Sequence, residues 1–255
     1  MIVRPVEKGV RLIAQHDHAR AAGTMARNWA GDKVIPRPPV AVKDAIFFAV
    51  DNHDVGWCHS DESPSFDSET RLPRSFFGTT VEEATEIWTD SISFCATDGP
   101  LSGYLVSAHF SALATSGIRG APPDELEHLR QFVQEEDGRR QFLLAQLSPP
   151  EEAACESAAL LLRTCDTLSL FACRAPEVIP VESQVHHLSR CGLKVRFQMD
   201  DLLEITPWPF CVECLEIQFP GVTVPGERYE SDEEFEDALE TAEPGVFVTR
   251  LVPLR

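Results

Sequence analysis

Residues 49–61 read AVDNHDVGWCHSD and set His53 beside Asp54 at the end of the apolar run DAIFFAVDNHD, Asp44–Asp54. Wound as a helix, that run puts Ala49 and Val50 one turn before His53 and turns the imidazole toward the buried face. An unpaired charge there costs several kcal/mol, roughly, unless a partner or a metal offsets it. The stretch therefore predicts a helical core in which a titratable pair has a bound partner.

Outward from this stretch the chain alternates helical patterns with turn signals. Upstream, IVRPV and VRLIAQ flank Glu7-Lys8-Gly9 and read as a β-hairpin. HDHARAAGTMARNWAG follows, with Asp17 as expected N-cap and His18 sharing a face with Ala21, Ala22, Met25 and Trp29. The linker Pro36–Pro39 leads into the helix that carries His53. Downstream, the chain turns irregular after Trp57, and the stretch through Ser63-Pro64 to Phe76-Phe77 reads as a long ordered loop of the kind that often serves function. Thr80 with Glu83 forms a capping box for a helix through about Thr97. Gly99-Pro100, Pro122-Pro123 and Pro149-Pro150 then punctuate three more helices, the second ending near Leu147. After Pro176 the pattern turns to short alternating runs (LKVRF, LEITP, LEIQF, VFVTRLV), with one helix, SDEEFEDALETA, capped by Ser231. The expected fold is α+β: a helical core over residues 17–176, with a β layer built from the hairpin of 1–16 and the strands of 177–255.

The formal net charge of -19 repels phosphate backbones and anionic headgroups, so neither nucleic acid nor a membrane surface is an expected partner. No run approaches the roughly 18 apolar residues of a membrane span. The opening MIVRPVEKGV is too mixed for a secretory signal. The eight cysteines are scattered, which reads as a reduced, cytosolic chain. Cys211 and Cys214 form a lone CxxC with no second pair, a weak signal for zinc or redox chemistry.

Four places set a polar, metal-competent side chain in an apolar helical face: His18, His53 with Asp54, His109, and Asp166. A single such histidine is ordinarily a hydrogen-bonded core residue. A buried aspartate among Leu162, Ser169 and Leu170 is harder to dismiss, because aspartate is rarely buried without a partner. A divalent cation would account for them together, since it neutralises carboxylates and takes neutral imidazoles. Asp61, about two turns beyond His53, reads equally as a general base and as a cap or turn residue. Trp57 reads as a pocket wall or as core. His16 reads as an ordinary exposed histidine, and His128 sits on an acidic, exposed-looking helix.

The succession His18 in QHDHARAAG, His53-Asp54 in DNHDVGW and Asp166 in RTCDTLSLF resembles the HD-domain superfamily of metal-dependent phosphohydrolases. More narrowly, IVRP, QHDHA, HDVGW with Asp61, VSAHFSAL, CDTLSLF and TPWPF resemble a bacterial family known as domain of unknown function 3891, over nearly the whole chain. The superfamily resemblance implies an HD-type bundle in which His18, His53, Asp54 and Asp166 hold one divalent ion (Mn, Fe, Co, Ni, Zn or Mg). It implies hydrolysis of a small phosphorylated compound by metal-activated water; His109 lies outside that ligand set and is read as a substrate contact or a group behind the ligands, and Asp61, from its spacing, as the candidate catalytic base. Two alternatives stand beside it. One is a di-iron oxygenase, with His109 contributing to a second metal; the other is a non-enzymatic ligand-binding domain. Arg20, Arg27 and Arg119, the basic candidates for a phosphate, are not convincingly placed.

Overall fold

The computed structural model of the chain describes residues 1–31, 35–173, 185–188, 192–198 and 201–254. Strands β1 (Ile2–Val6) and β2 (Gly9–Ile13) form the expected hairpin. Helices α1 (Gln15–Arg27) and α2 (Lys43–Asn52) follow. The short helix α3 (Cys58–Asp61) and a two-strand ladder, β3 (Phe66–Asp67) with β4 (Leu72–Pro73), occupy the region read as loop. Helices α4 (Val81–Ala96), α5 (Pro100–Gly117), α6 (Pro123–Leu144) and α7 (Pro149–Cys173) complete the helical layer. The rest of the chain supplies β5 (Val185–Leu188), β6 (Leu193–Gln198), β7 (Leu202–Thr206), β8 (Leu215–Pro225), helix α8 (Asp232–Glu240) and β9 (Glu243–Pro253).

The fold is α+β. One seven-stranded sheet runs in the order β1-β2-β8-β9-β7-β6-β5, antiparallel except for the β7–β9 pair. Its hairpin end joins the chain's first strands to its late ones through β2 and β8. Period-2 alternation divides the hairpin: Ile2 and Ile13 face the helices, whereas Val3, Val10 and Leu12 pack with Tyr229 and Phe235 near α8 on the other face. The first set belongs to one core cluster that also holds Met25, Leu105, Leu162, Phe197 and Phe219, so sheet and helices share a core. Thr249 on β9 donates to the Ala172 carbonyl at 2.7 Å and pins the sheet to the end of α7.

Helix α5 lies against α2, α4, α6 and α7. Its sequence is apolar nearly all round, which is what a helix buried on several sides requires. Thr80 and Glu83 make the expected capping box on α4, and Ser231 accepts from Glu234 N on α8. Three boundaries differ from the sequence reading. Helix α6 stops at Leu144, short of Leu147. Helix α2 stops at Asn52, so His53 and Asp54 occupy the turn after it. Helix α1 starts at Gln15 instead of being capped by Asp17, because the first amide is satisfied from a distance: Gln15 N donates to Asp61 Oδ2 at 2.6 Å. The boundary expected at residue 176 lies outside the described residues.

Candidate metal centre

Three helices and one turn deliver the polar groups. Helix α1 packs on α2 and α7, buries the small residues Ala19, Ala22 and Ala26, and sets His18 against Ser169 and Asp166 of α7. The turn after α2 carries His53 and Asp54, and it is held against α4 at Gly56. A Cβ on Gly56 would meet the Ile87 carbonyl at 2.1 Å, and its amide donates to Ser91 Oγ at 2.9 Å. Helix α7 carries Asp166, and α5 carries His109. All of these are buried: His18 is 1% exposed, His53 0% and His109 2%.

The structure brings His18, His53, Asp54 and Asp166 together, with one donor atom from each lying within 4.8 Å of the others. His18 Nε2 is 3.2 Å from Asp54 Oδ2 and 3.2 Å from Asp166 Oδ1. His53 Nε2 is 3.5 Å and 3.4 Å from the same two oxygens. The far nitrogens fix which way these rings work. Ser169 Oγ donates to the Asp166 carbonyl at 2.8 Å, so its lone pair accepts from His18 Nδ1 at 2.5 Å. His53 Nδ1 faces the Val50 carbonyl at 2.8 Å and must also donate. In the neutral rings both Nε2 lone pairs therefore point at carboxylate oxygens, an arrangement that is repulsive unless a proton or a cation lies between them.

Two carboxylates are balanced either by two imidazolium protons or by one divalent cation with neutral imidazoles. In the metal-free chain burial opposes charge on His18, but hydrogen bonds to Asp166 and Asp54 outweigh it and push its pKa up to about 9. His53 is raised against the same burial by Asp54 and Asp166. Burial works to raise Asp54 and Asp166 as well, yet the two imidazoles hold both below the usual carboxylate value. The group fits a divalent ion equally well: tetrahedral donors about 2.0–2.1 Å from a metal sit about 3.3–3.4 Å apart. The four nitrogen–oxygen separations quoted above lie near that value, the whole donor set falls within 4.8 Å, and hydrogen bonds from the outer ring nitrogens are the usual support of ligating histidines. This cluster could hold a metal ion.

His109 stands beside the cluster, its ring edge-on to His53 at 5.2 Å between centroids. Burial pushes its pKa down to about 4, so it is neutral, and its Nδ1 is buried without a hydrogen-bond partner. Asp61 lies apart. Its Oδ2 holds the α1 amide, and its Oδ1 pairs with the Met1 amine at 2.6 Å. The carboxylate is thus committed to joining the chain's start to α1. His128 bonds Thr85 Oγ1 at 2.8 Å, away from the cluster. His16, expected to be exposed, is half-buried in the first turn of α1 between Asn52 Oδ1 and Cys58 Sγ, each at 3.3 Å. That correction follows from the earlier start of the helix. Cys211 and Cys214 are exposed and free.

A cavity of about 550 Å3 opens onto the cluster, within the size range of small-molecule sites. His18, Asp54, His109 and Asp166 line it, together with Trp57, Phe76, Phe77, Trp88, Phe110, Leu113, Leu129 and Leu170. Trp57 proves to be both wall and core, 5% exposed with its ring edge against Phe76. Trp88 and Phe110 are wall residues that sequence reasoning did not single out. They come from two helices whose packing alone brings their rings to 5.2 Å, and no local motif marks them. Ser169 was legible only as a face neighbour of Asp166, three residues on.

Among known proteins, the family model described as "Protein of unknown function (DUF3891)" matches residues 1–226. No curated protein and no solved structure matches the chain.

Proposed function

The chain belongs to the DUF3891 family, and from the site its residues build we propose that it is a metal-dependent hydrolase of a small molecule. His18, His53, Asp54 and Asp166 would hold one divalent cation. When bound, such an ion lowers the pKa of a coordinated water toward neutrality and polarises an electrophilic oxygen of the substrate. The observation that carries this reading is the convergence of two Nε2 atoms, each with its Nδ1 already engaged, on two carboxylates at the inner end of a cavity. The superfamily resemblance of the His, His-Asp, Asp succession supports the same reaction class.

The chain's own residues divide the remaining work. Asp54 and Asp166 carry the negative charge that retains the cation. Ser169 and the Val50 carbonyl hold the imidazoles in the ligating tautomer. His109, neutral and buried beside His53, offers a ring nitrogen to substrate. Trp57, Trp88 and Phe110 keep bulk water from the reacting group. Asp61 is left out of the catalytic set, since both its oxygens are engaged elsewhere. The phosphorylated substrate expected from the resemblance finds no lysine or arginine among the described residues of the cavity wall.

His109 also motivates a second reading, a di-iron oxygenase, because it adjoins His53 and has an unsatisfied nitrogen. Among the described residues, however, it is not joined by the further carboxylates that bridge two metals. Elemental analysis of the purified full chain tests both. One metal per chain, lost in Asp54→Ala and His18→Ala variants that keep the wild-type circular dichroism, supports the single-ion reading. Two irons per chain would favour the oxygenase, and metal content unchanged by Asp54→Ala would overturn the ligand set. Confirmed metal without hydrolysis across a panel of esters, amides and phosphoesters would reduce the site to ligand binding.

A further inference from the structure

We infer that the part of the substrate buried next to the metal centre is a neutral, apolar or aromatic group, and not a phosphate ester. This deepens the hydrolase reading and rests on it. The cavity that the cluster opens onto is walled by Trp57, Phe76, Phe77, Trp88, Phe110 and Leu113. The carboxylates that line the cavity are Asp54, Asp166 and Glu125, and no lysine or arginine is among the described lining residues.

The charge count decides against a phosphate. A divalent ion held by Asp54 and Asp166 is already neutralised by its two carboxylates, with both histidines neutral. A phosphate monoester would then bring uncompensated negative charge into an aromatic cavity that also faces Glu125. Sites that process phosphates supply arginine or lysine clamps for this charge, and burying it without them is costly. Two basic side chains lie near these walls: Arg163, one turn before Asp166 on α7, acts electrostatically on His109 without being among the described lining residues, and Arg74 lines an adjoining cavity sharing Trp57, Phe76 and Thr79. Its guanidinium is already engaged by Glu83 at 2.6 Å and by the Gly78 carbonyl at 2.9 Å. An apolar group gains where a phosphate loses. Phe77 and Leu113 are large apolar residues 54% and 42% exposed on this same cavity, so its outer part already offers apolar surface that a ligand would cover.

The test compares 2-naphthol with 2-naphthyl phosphate by calorimetry on the full chain, with and without bound Mn, and with metal content measured on each sample. The two probes share their apolar body and differ in the charge. Naphthol is expected to bind the metal-loaded chain about tenfold or more tightly than its phosphate ester, the scale of an uncompensated charge at a partly desolvated site. Leu113→Lys, a change at a half-open wall position, is expected to narrow that ratio by placing a cation in the cavity. Equal binding, tighter binding of the phosphate, or no measurable binding of naphthol overturns the inference. Failure to load metal would sink the hydrolase reading instead, and the naphthol-to-phosphate ratio on the metal-free chain would still decide the chemistry of the cavity.

Discussion

Metal loading at neutral pH is expected to expel protons, and the number follows from the site. In the metal-free chain His18 has a pKa of about 9, so at pH 7 its ring is protonated to about 99%. His53 is also raised above 6.5 and contributes part of a second proton. A ligating imidazole must be neutral. One divalent ion should therefore release between about one and two protons at pH 7, falling toward none above pH 10. Calorimetric titration in buffers of different ionisation enthalpy reads this number directly. The same charges shape stability. His18 is raised above 6.5, so its contribution is complete below about 6.5 and is lost as pH climbs through about 9. Asp54 and Asp166 are held below 3.8, so the same contacts, counted once, are lost as pH falls through the folded values of those carboxylates. His109, kept neutral with a pKa of about 4, withdraws stability as pH falls from 6.5 toward 4. The contribution of the cluster and His109 to the stability of the metal-free chain should thus be largest near pH 6.5, and bound metal should carry it to higher pH. Metal uptake at pH 7 with no proton release would refute the electrostatic account of the cluster.

Ser169→Ala removes the acceptor of His18 Nδ1 and is expected to weaken metal binding about 10- to 100-fold in a chelator competition; unchanged affinity would mean that the tautomer is set otherwise. Asp61→Asn should lower urea-unfolding stability by about 1–3 kcal/mol, because a buried acceptor of the Gln15 amide and the Met1 amine is weakened, while metal content stays the same. Wild-type stability in that variant would contradict the capping role. Cys58, His16 and Asn52 are arranged like a nucleophilic triad, yet burial and Asp61 raise the Cys58 thiol while burial and Arg20 lower the His16 imidazole. The proton stays on sulfur, so iodoacetamide should alkylate Cys58 slowly at pH 7, with no inflection below the ordinary thiol range near 8.5.

The donors could be read from the sequence because each breaks a pattern. His18, His109 and Asp166 interrupt apolar helical faces, and an aspartate among leucines demands a partner whatever the fold. The capping box at Thr80 and Glu83, the cap at Ser231 and the hairpin about Gly9 were legible for the same local reason: their chemistry spans two to four residues. The start of α1 was not, since its capping carboxylate is Asp61, supplied from 46 residues away. A helix end satisfied by a distant side chain leaves no mark beside it, and Asp17, a good cap by composition, was therefore misassigned. The same error hid His16, which the earlier start turns inward toward Asn52 and Cys58.

The cavity lay further still from the sequence. Trp57, Trp88, Phe110 and Leu113 each look like core residues, and Trp57 and Phe110 are buried as such. They become a binding wall only because the turn after α2, α4 and α5 leave a gap above the cluster. What they exclude matters as much as what they contact. A resemblance that brings together His18, His53, Asp54 and Asp166 predicts a cation, but a substrate is chosen by the groups facing that cation from across the cavity. Here the described lining is mostly aromatic and aliphatic, with Glu125, Gln15, Thr79 and His109 as its polar members beside the cluster, so which ion the cluster could hold and what the cavity admits are separate questions. The donor set, which could hold a metal ion, bears on the first, and the wall, with no lysine or arginine among its described residues, bears on the second.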